Sequence, residues 1–581
     1  GVVLPDGSVN KRPIEALLKV LDNAALHNVK VNLLLSPHYM PQWAFEQNPE
    51  LGKEGMGFIK YKINHPVARK IIETYLRTLV PMVGNHPALH SYTLSNEPQY
   101  TGKTEQSRQD FADWLQKRHG GIQQLNNAWG SSYQSFAEIT IPADGQNRPL
   151  WYEWCVFNQE RFTEFHAWMA GIIKEYHPEI PVHSKVMADL FGSPANFANG
   201  IDHAAMTKLG SISGNDCGVG YPGSNDYAQG WLKQIMYYTF QRSVAPGQPV
   251  FNSENHLITN NSERFYPNEH IYTALWDGFI HGLGATTIWV WERNEANTDL
   301  KNNILTRPNC VEAAAKATLD LNRLGEYVSK FQRQPAEVAL LYSPSAAAWP
   351  EYQAEVQKLF EAAFFQDVPV SFVTEEQLQQ DQLDKLKIVL LPAVTHLTNT
   401  AIEAIKRFVD QGGTVFAVAP TGTFDEYSKR RDLGYLWGAR VGPVETISQP
   451  LALTCFAEDI FVQKQPRLSG HNFVQRLAPT TATVLAAGER FPLLLLNSWG
   501  EGKIYYLATS LTSEDYYKLF SQLFVRCGLN RTLSLVDTEG NRPFGVELRA
   551  YKEDKLYANI VNYTKEALEL TLTGPEMKEI K

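Results

Sequence analysis

The run Ala88-Leu89-His90-Ser91-Tyr92-Thr93-Leu94-Ser95-Asn96-Glu97-Pro98 is a short β-prone segment that ends abruptly in an amide and a carboxylate and is stopped by proline. That pattern predicts a strand whose polar tip emerges into a loop. A second tip of the same kind is Pro249-Val250-Phe251-Asn252-Ser253-Glu254-Asn255-His256. Both put a glutamate at the end of a buried run, which is where an eight-stranded α/β barrel keeps its chemistry. A single carboxylate after a strand is ordinarily a solvated loop residue. A pair is different, because cleavage of a glycosidic bond wants two carboxylates facing each other across a sugar.

Working outward from these tips, the chain alternates strands and helices. Residues Pro13 to Leu26 have helical periodicity, with Leu17, Leu18, Val20 and Leu21 as an apolar stripe, and a buried strand follows at 29–35. Further strands are expected near 89–95, 180–187, 210–214, 249–253 and 285–291, separated by helices over Val67 to Val83, Asn158 to Tyr176, Tyr227 to Phe240 and Glu269 to Gly282. These are six strands of a (β/α)8 TIM barrel, and the expectation is that the first two lie upstream of Gly1 in a segment that supplies them. An open six-stranded α/β sheet is the alternative.

The length of 581 residues predicts two or three domains. A net charge of -9 gives no electrostatic reason to expect nucleic acid or an anionic membrane as partner. Five scattered cysteines offer neither a disulfide framework nor zinc spacing, so no metal and no cofactor is expected. No run of 18 apolar residues suggests a membrane span, and the choice between a cytoplasmic and a periplasmic location stays open.

Past Leu324 the texture changes. Strands at 337–342, 368–373, 386–391 and 413–418, helices at 351–365 and 400–410, a hairpin at 491–497 and 503–507, and a closing helix at 516–527 predict a second, flavodoxin-like α/β domain with a parallel sheet. It lacks a glycine-rich phosphate loop. Alternating runs at 546–550, 556–562 and 567–573 predict a small antiparallel β-sandwich domain. The expected division is 1–325, 326–532 and 533–581.

Within the barrel region, Leu125-Asn126-Asn127-Ala128-Trp129-Gly130 falls in a long insertion, where Trp129 reads as a packing anchor. That motif, Asn96-Glu97-Pro98, Glu254, the run Ser213-Gly214-Asn215-Asp216-Cys217-Gly218-Val219-Gly220-Tyr221-Pro222, and Gly282-Leu283-Gly284-Ala285 leading into Trp289-Val290-Trp291-Glu292-Arg293, are together similar to family 42 glycoside hydrolases, the β-galactosidases of the large retaining barrel clan. The resemblance spans nearly the whole chain and implies a barrel, a trimerisation domain and a small β domain in that order, hence a homotrimer. It also implies an arginine on the second barrel strand, which these residues do not contain. The sequence departs from the family pattern at Pro98, where Tyr-Gly is usual, and at Ser253 and Asn255 beside Glu254. The zinc-binding cysteine cluster of some members has no counterpart.

The resemblance implies that Glu97 is the acid/base and Glu254 the nucleophile of a retaining, exo-acting β-glycosidase acting on an oligosaccharide or β-glycoside. Asn96 is placed to bond the sugar 2-hydroxyl. Trp289 and Trp291, two apart, share a face for as long as the last strand stays regular. Trp291, nearer the rim, is then the expected platform under the sugar, with Glu292 or Arg293 bonding its hydroxyls. Asn215, Asp216 and Asn255 add short polar groups at the strand tips. This set suits the axial hydroxyl of galactose and equally that of mannose, so a β-mannosidase or another β-glycosidase stays open beside the β-galactosidase, as does an inactive glycan-binding barrel.

Overall fold

A computed structural model describes residues 1–581 apart from 225, 261, 293–302, 381, 382, 384, 457–466, 530 and 575–581. The chain forms two compact units: Gly1–Cys217 with Val244–His256 and Leu283–Trp289, and Gly218–Ser243 with Leu257–Gly282 and Val290–Lys581.

The first unit holds six parallel strands, β1 (Val31–Leu34), β2 (Leu89–Asn96), β3 (Val182–Lys185), β4 (Ser213–Asn215), β5 (Val250–Asn255) and β6 (Leu283–Ile288). They pair in chain order, and the bridge Val186–Asn215 joins β3 to β4. All six overlap expected strands, as a (β/α)-barrel requires, although β6 stops at Ile288, short of the expected 291. Ser91 through Ser95 are buried on both faces of β2, as in a parallel strand enclosed by helices. The helix Pro66–Val83 opens on Pro66 behind His65, whose Nδ1 accepts the Val67 amide at 3.2 Å. Its buried face, Ile72, Leu76, Leu79 and Val80, shares one core with Tyr92, Leu94, Phe162, Phe165 and Met169. On the first helix, Arg12–Leu26, Ile14 and Leu21 are buried, but Val20 is 61% exposed, because an apolar stripe wide enough to include it exceeds the face this helix presents inward.

Two expectations about this region change. The helix expected to start at Asn158 spans Arg148–Tyr176, capped by Asn147. Asn158 is not its cap: its amide donates to the Tyr100 carbonyl and its oxygen accepts from Arg161 at 2.9 Å. The insertion around Trp129 is the helix Ile122–Trp129, and Trp129 is the buried anchor expected, its indole N–H donating to Glu153 at 3.2 Å.

In the second unit the strands are β7 (Val338–Tyr342), β8 (Val370–Thr374), β9 (Ile388–Leu391), β10 (Thr414–Val418), β11 (Ala439–Thr446), β12 (Leu451–Cys455), β13 (Leu468–Pro479), β14 (Thr483–Ala487), β15 (Pro492–Trp499), β16 (Gly502–Leu507) and β17 (Thr509–Ser510). The order β8-β7-β9-β10-β16 is parallel, as expected of a flavodoxin-like sheet. The sheet then continues antiparallel through β15, β14, β12, β13 and β11, a broad extension of which only β15 was foreseen. Four further strands, β18 (Ser534–Val536), β19 (Val546–Lys552), β20 (Leu556–Asn562) and β21 (Thr571–Thr573), pair as β18–β21 and β19–β20. The last of them starts four residues later than its alternation predicts, because its partner β18 offers only three residues to pair with.

Candidate active site

The first unit gathers its polar strand tips in one place. On β2, the backbone turns sharply at Glu97, whose φ of +41° lies in the left-handed region that costs a non-glycine residue about 1–3 kcal/mol. What holds it there is the Glu97 amide donating to the Lys185 carbonyl at the end of β3, 2.9 Å away. The same Lys185 reaches across with its Nζ to Oε2 of Glu254 on β5. Both side chains of this ion pair are over nine-tenths buried.

Other groups complete the cluster. His256 Nε2 lies 3.4 Å from Glu254 Oε1, and the Trp289 ring sits 6.0 Å from His256 and 5.9 Å from Lys185 Nζ. Asp216 follows β4, its amide donating to the Val186 carbonyl at 3.2 Å. Burial pulls the pKa of Lys185 down, while the carboxylates of Glu97 and Asp216 pull it back up. Direct contact with Glu254 adds to that upward pull, since an adjacent opposite charge favours the ammonium. His38, after β1, is held at about 4, first by burial and then by the charge of Lys185. It is therefore neutral near pH 7, and its buried Nδ1 has no partner among the described residues.

Beneath the tips, the strands carry a polar network. Asn32 Oδ1 accepts from Ser91 and Thr93 at 2.8 and 2.9 Å, and His183 Nε2 lies 3.0 Å from the Thr93 hydroxyl. Burial takes His183 down to about 3. Gly214 on β4 packs against this imidazole so closely that any Cβ would run into its ring.

Glu97, Glu254, Asp216 and Trp289 therefore converge around Lys185, and Asn96 pairs with Lys185 across the strands. Asn215 and Asn255 have side chains committed within the scaffold: Asn215 Oδ1 accepts from the Cys217 amide at 3.1 Å, and the Asn255 amide donates to Thr286 at 3.1 Å. Trp291 does not share a strand face with Trp289. β5 ends at Asn255, paired with Ile288, and the last bond of that ladder among the described residues is from the Trp289 amide to the Asn255 carbonyl at 2.9 Å. Trp289 and Val290 form a turn, and Trp291 (46% exposed) and Glu292, also exposed, fall in the second unit. Arg293 lies outside the described residues. Sequence reasoning passed over Lys185, His256 and His38; the signal for Lys185 was a lysine closing the buried run Val182-His183-Ser184.

Among the described residues one group has ligand atoms close enough to hold a metal ion, Asp277, His281 and Glu547 in the second unit. Its chemistry does not fit. Arg549 can only donate, so at 3.3 Å it makes His281 Nδ1 the acceptor. The hydrogen is then on Nε2, which donates to Glu547 at 2.9 Å and has no lone pair for a metal.

A family model described as β-galactosidase, that of glycoside hydrolase family 42, matches residues 11–309, and a model of the β-galactosidase trimerisation domain matches residues 332–530. A β-galactosidase of Geobacillus kaustophilus is 23% identical over an alignment covering 97% of this chain and 86% of that protein. Among solved structures, the cold-adapted β-galactosidase from Rahnella sp. R3 superposes with a TM-score of 0.82 at 18% identity, covering 98% of this chain and 88% of that one. The family 42 exo-carrageenase from Bacteroides ovatus superposes with a TM-score of 0.76 at 23% identity, covering 99% and 74%. With about half its length matched by the first model and most of the remainder by the second, the chain belongs to glycoside hydrolase family 42, and is a glycoside hydrolase of the retaining clan.

Proposed function

We propose that this chain is an exo-acting β-galactosidase working by double displacement, with Glu254 as nucleophile and Glu97 as acid/base. The observation that carries the reading is Glu254 itself: a buried carboxylate at a barrel-strand tip, with Lys185 on one oxygen and His256 facing the other. A carboxylate so held is ionised and aimed, as a nucleophile must be. Glu97, half-buried at the tip of β2, has the wetter position suited to exchanging protons with the leaving group and with water. Asn96 beside it would bond the 2-hydroxyl, and Trp289 would lie under the sugar ring.

The test is turnover of nitrophenyl β-galactoside, β-mannoside, β-glucoside and β-fucoside by one preparation. The galactoside rate should be highest; a rate at or below the mannoside and glucoside rates overturns the galactose assignment. A second reading, a carrageenan-derived oligosaccharide as substrate, is prompted by the exo-carrageenase, whose fold this chain shares over 99% of its length. Carrageenan oligosaccharides in the same assay separate the two. We also propose domain limits of 1–325, 326–532 and 533–581 and assembly as a homotrimer through the middle domain, supported by the trimerisation model over 332–530. Light scattering should give three times 65.6 kDa; a stable monomer at micromolar concentration rejects it.

A further inference from the structure

Lys185 is bonded to both glutamates at once, through different parts of the residue. Its carbonyl fixes the backbone of Glu97, and its ammonium touches Glu254. A buried pair of one acid and one base would be electrically complete. Here one ammonium is shared among three carboxylates, Glu254 on β5, Glu97 after β2 and Asp216 after β4. Among the described residues, the remaining titratable groups facing it are His38 after β1 and His183 on β3, both held neutral by burial, and His256, which faces the far oxygen of Glu254.

We propose that Lys185 is a positioning residue that acts as the fixed counter-charge of the two glutamates in turn: of Glu254 in the resting site, and of Glu97 once Glu254 is esterified. The proposal rests on the two-glutamate reading above. In the first step a Glu254 oxygen bonds the anomeric carbon, the bond from that carbon to the leaving oxygen breaks, and the leaving oxygen takes the proton of Glu97. Glu254 thereby loses its negative charge as an ester while Glu97 gains one. In the second step water gives a proton to Glu97, its oxygen bonds the anomeric carbon, and the ester bond breaks, returning the charge to Glu254. The negative charge crosses the site and comes back, and the ammonium that faces both positions need not move. The ammonium touches Glu254 and so favours its ionised form in the resting site.

The experiment compares Lys185→Met and Lys185→Arg with the wild type on whichever aryl β-glycoside is turned over. Lys185→Met should lower kcat/KM by roughly 100-fold and move the acidic limb of its pH profile up by about one pH unit. Lys185→Arg, which keeps the charge, should leave the limb where the wild type has it. Reactivation of protein trapped as its 2-deoxy-2-fluoroglycosyl ester reads the second step alone, and should be slowed about tenfold or more in Lys185→Met, again with its acidic limb raised. A Lys185→Met profile that superimposes on the wild type after scaling overturns the proposal. If Lys185→Met does not fold, Lys185→Arg carries the test, and a limb displaced by a full pH unit in that variant overturns it. Carbodiimide labelling of Glu254 against pH, read by mass spectrometry, gives the same comparison without a substrate. The two readings fail separately. Wild-type turnover in Glu97→Gln or Glu254→Gln removes the mechanism, whereas inactive glutamate variants with an unmoved Lys185→Met limb remove only the role of Lys185.

Discussion

At the barrel-strand tips of the first unit, one ammonium faces three carboxylates. In the second unit, the carboxyl groups of Asp277 and Glu547 face one guanidinium, Arg549, beside His281 and Tyr563. Both sets are buried, yet they differ in what is left over. In the second, Tyr563 donates to Asp277 at 2.5 Å, His281 to Glu547 at 2.9 Å and Arg549 to the Phe331 carbonyl at 3.1 Å, and burial raises both acids, so the polar groups bond one another with little charge left to expose. In the first, charge is unbalanced, Glu97 and Asp216 are half-buried, and the backbone at Glu97 is held in a costly conformation. Burial of charge alone therefore marks a scaffold as readily as a site. Chemistry is marked by an acid left outside the balance and open to a ligand.

The sharpest way to break this contrast is at the glutamates. Glu254→Gln and Glu97→Gln should each cut turnover roughly 10^4-fold or more while the fold survives. External azide should rescue Glu254→Ala with inversion and Glu97→Ala with retention, as nucleophile and acid/base roles require. Near-normal turnover in either glutamine variant would falsify the assignment.

Next in size is the closed cluster. Asp277→Ala takes from Tyr563 its 2.5 Å acceptor, leaving Glu547 at 3.4 Å, which should cost about 1–3 kcal/mol of stability. The turnover per folded molecule should stay at the wild-type level. Denaturation midpoints together with active-site titration check this, and a stable variant with lost turnover would place catalytic chemistry in the second unit instead.

The same cluster gives a pH dependence with a definite sign. Burial raises Asp277 to about 7 and Glu547 to about 8. A raised folded pKa means that stability from the group is complete below its unfolded value near 4 and is lost as pH rises through the folded value. Glu547→Gln carries no charge at any pH, so its stability relative to the wild type should improve by about 1–3 kcal/mol between pH 5 and pH 9. Calorimetric melting at the two pH values reads the difference. A gap that stays constant or widens against the variant removes the proposed burial of charge.

How far these contrasts were legible in the sequence depends on whether a signal was local. The tips at Glu97 and Glu254, the six barrel strands and the parallel strands of the second unit were visible because a buried run followed by a polar stop is a property of adjacent residues. Lys185 was not, because a lysine closing a strand reads as solvated, and its burial is created by Glu97 and Glu254, which are remote in sequence. Asn215 and Asn255 look like ligand contacts by residue type, yet bond the scaffold, since short amides at strand ends are the nearest partners for exposed backbone and hydroxyl groups. The antiparallel strands over 439–487 were missed because their burial alternates irregularly and carries several exposed residues, as at β11.

The two tryptophans after β6 give the smallest and most discriminating difference. Trp289 stands with its ring against His256 and Lys185, within the cluster, whereas Trp291 follows the turn and is 46% exposed. If a sugar ring lies on Trp289, Trp289→Ala removes an aromatic face worth roughly 0.5–1.5 kcal/mol beyond its buried area, and kcat/KM should fall about tenfold or more. Trp291→Ala is a surface change within about 0.5 kcal/mol, so kcat/KM should move by no more than about twofold. Steady-state kinetics of the two variants on one aryl β-galactoside decide it. The reverse ranking, a large loss at Trp291 and little at Trp289, would restore the platform to the outer tryptophan and require the chain beyond β6 to fold back over the substrate.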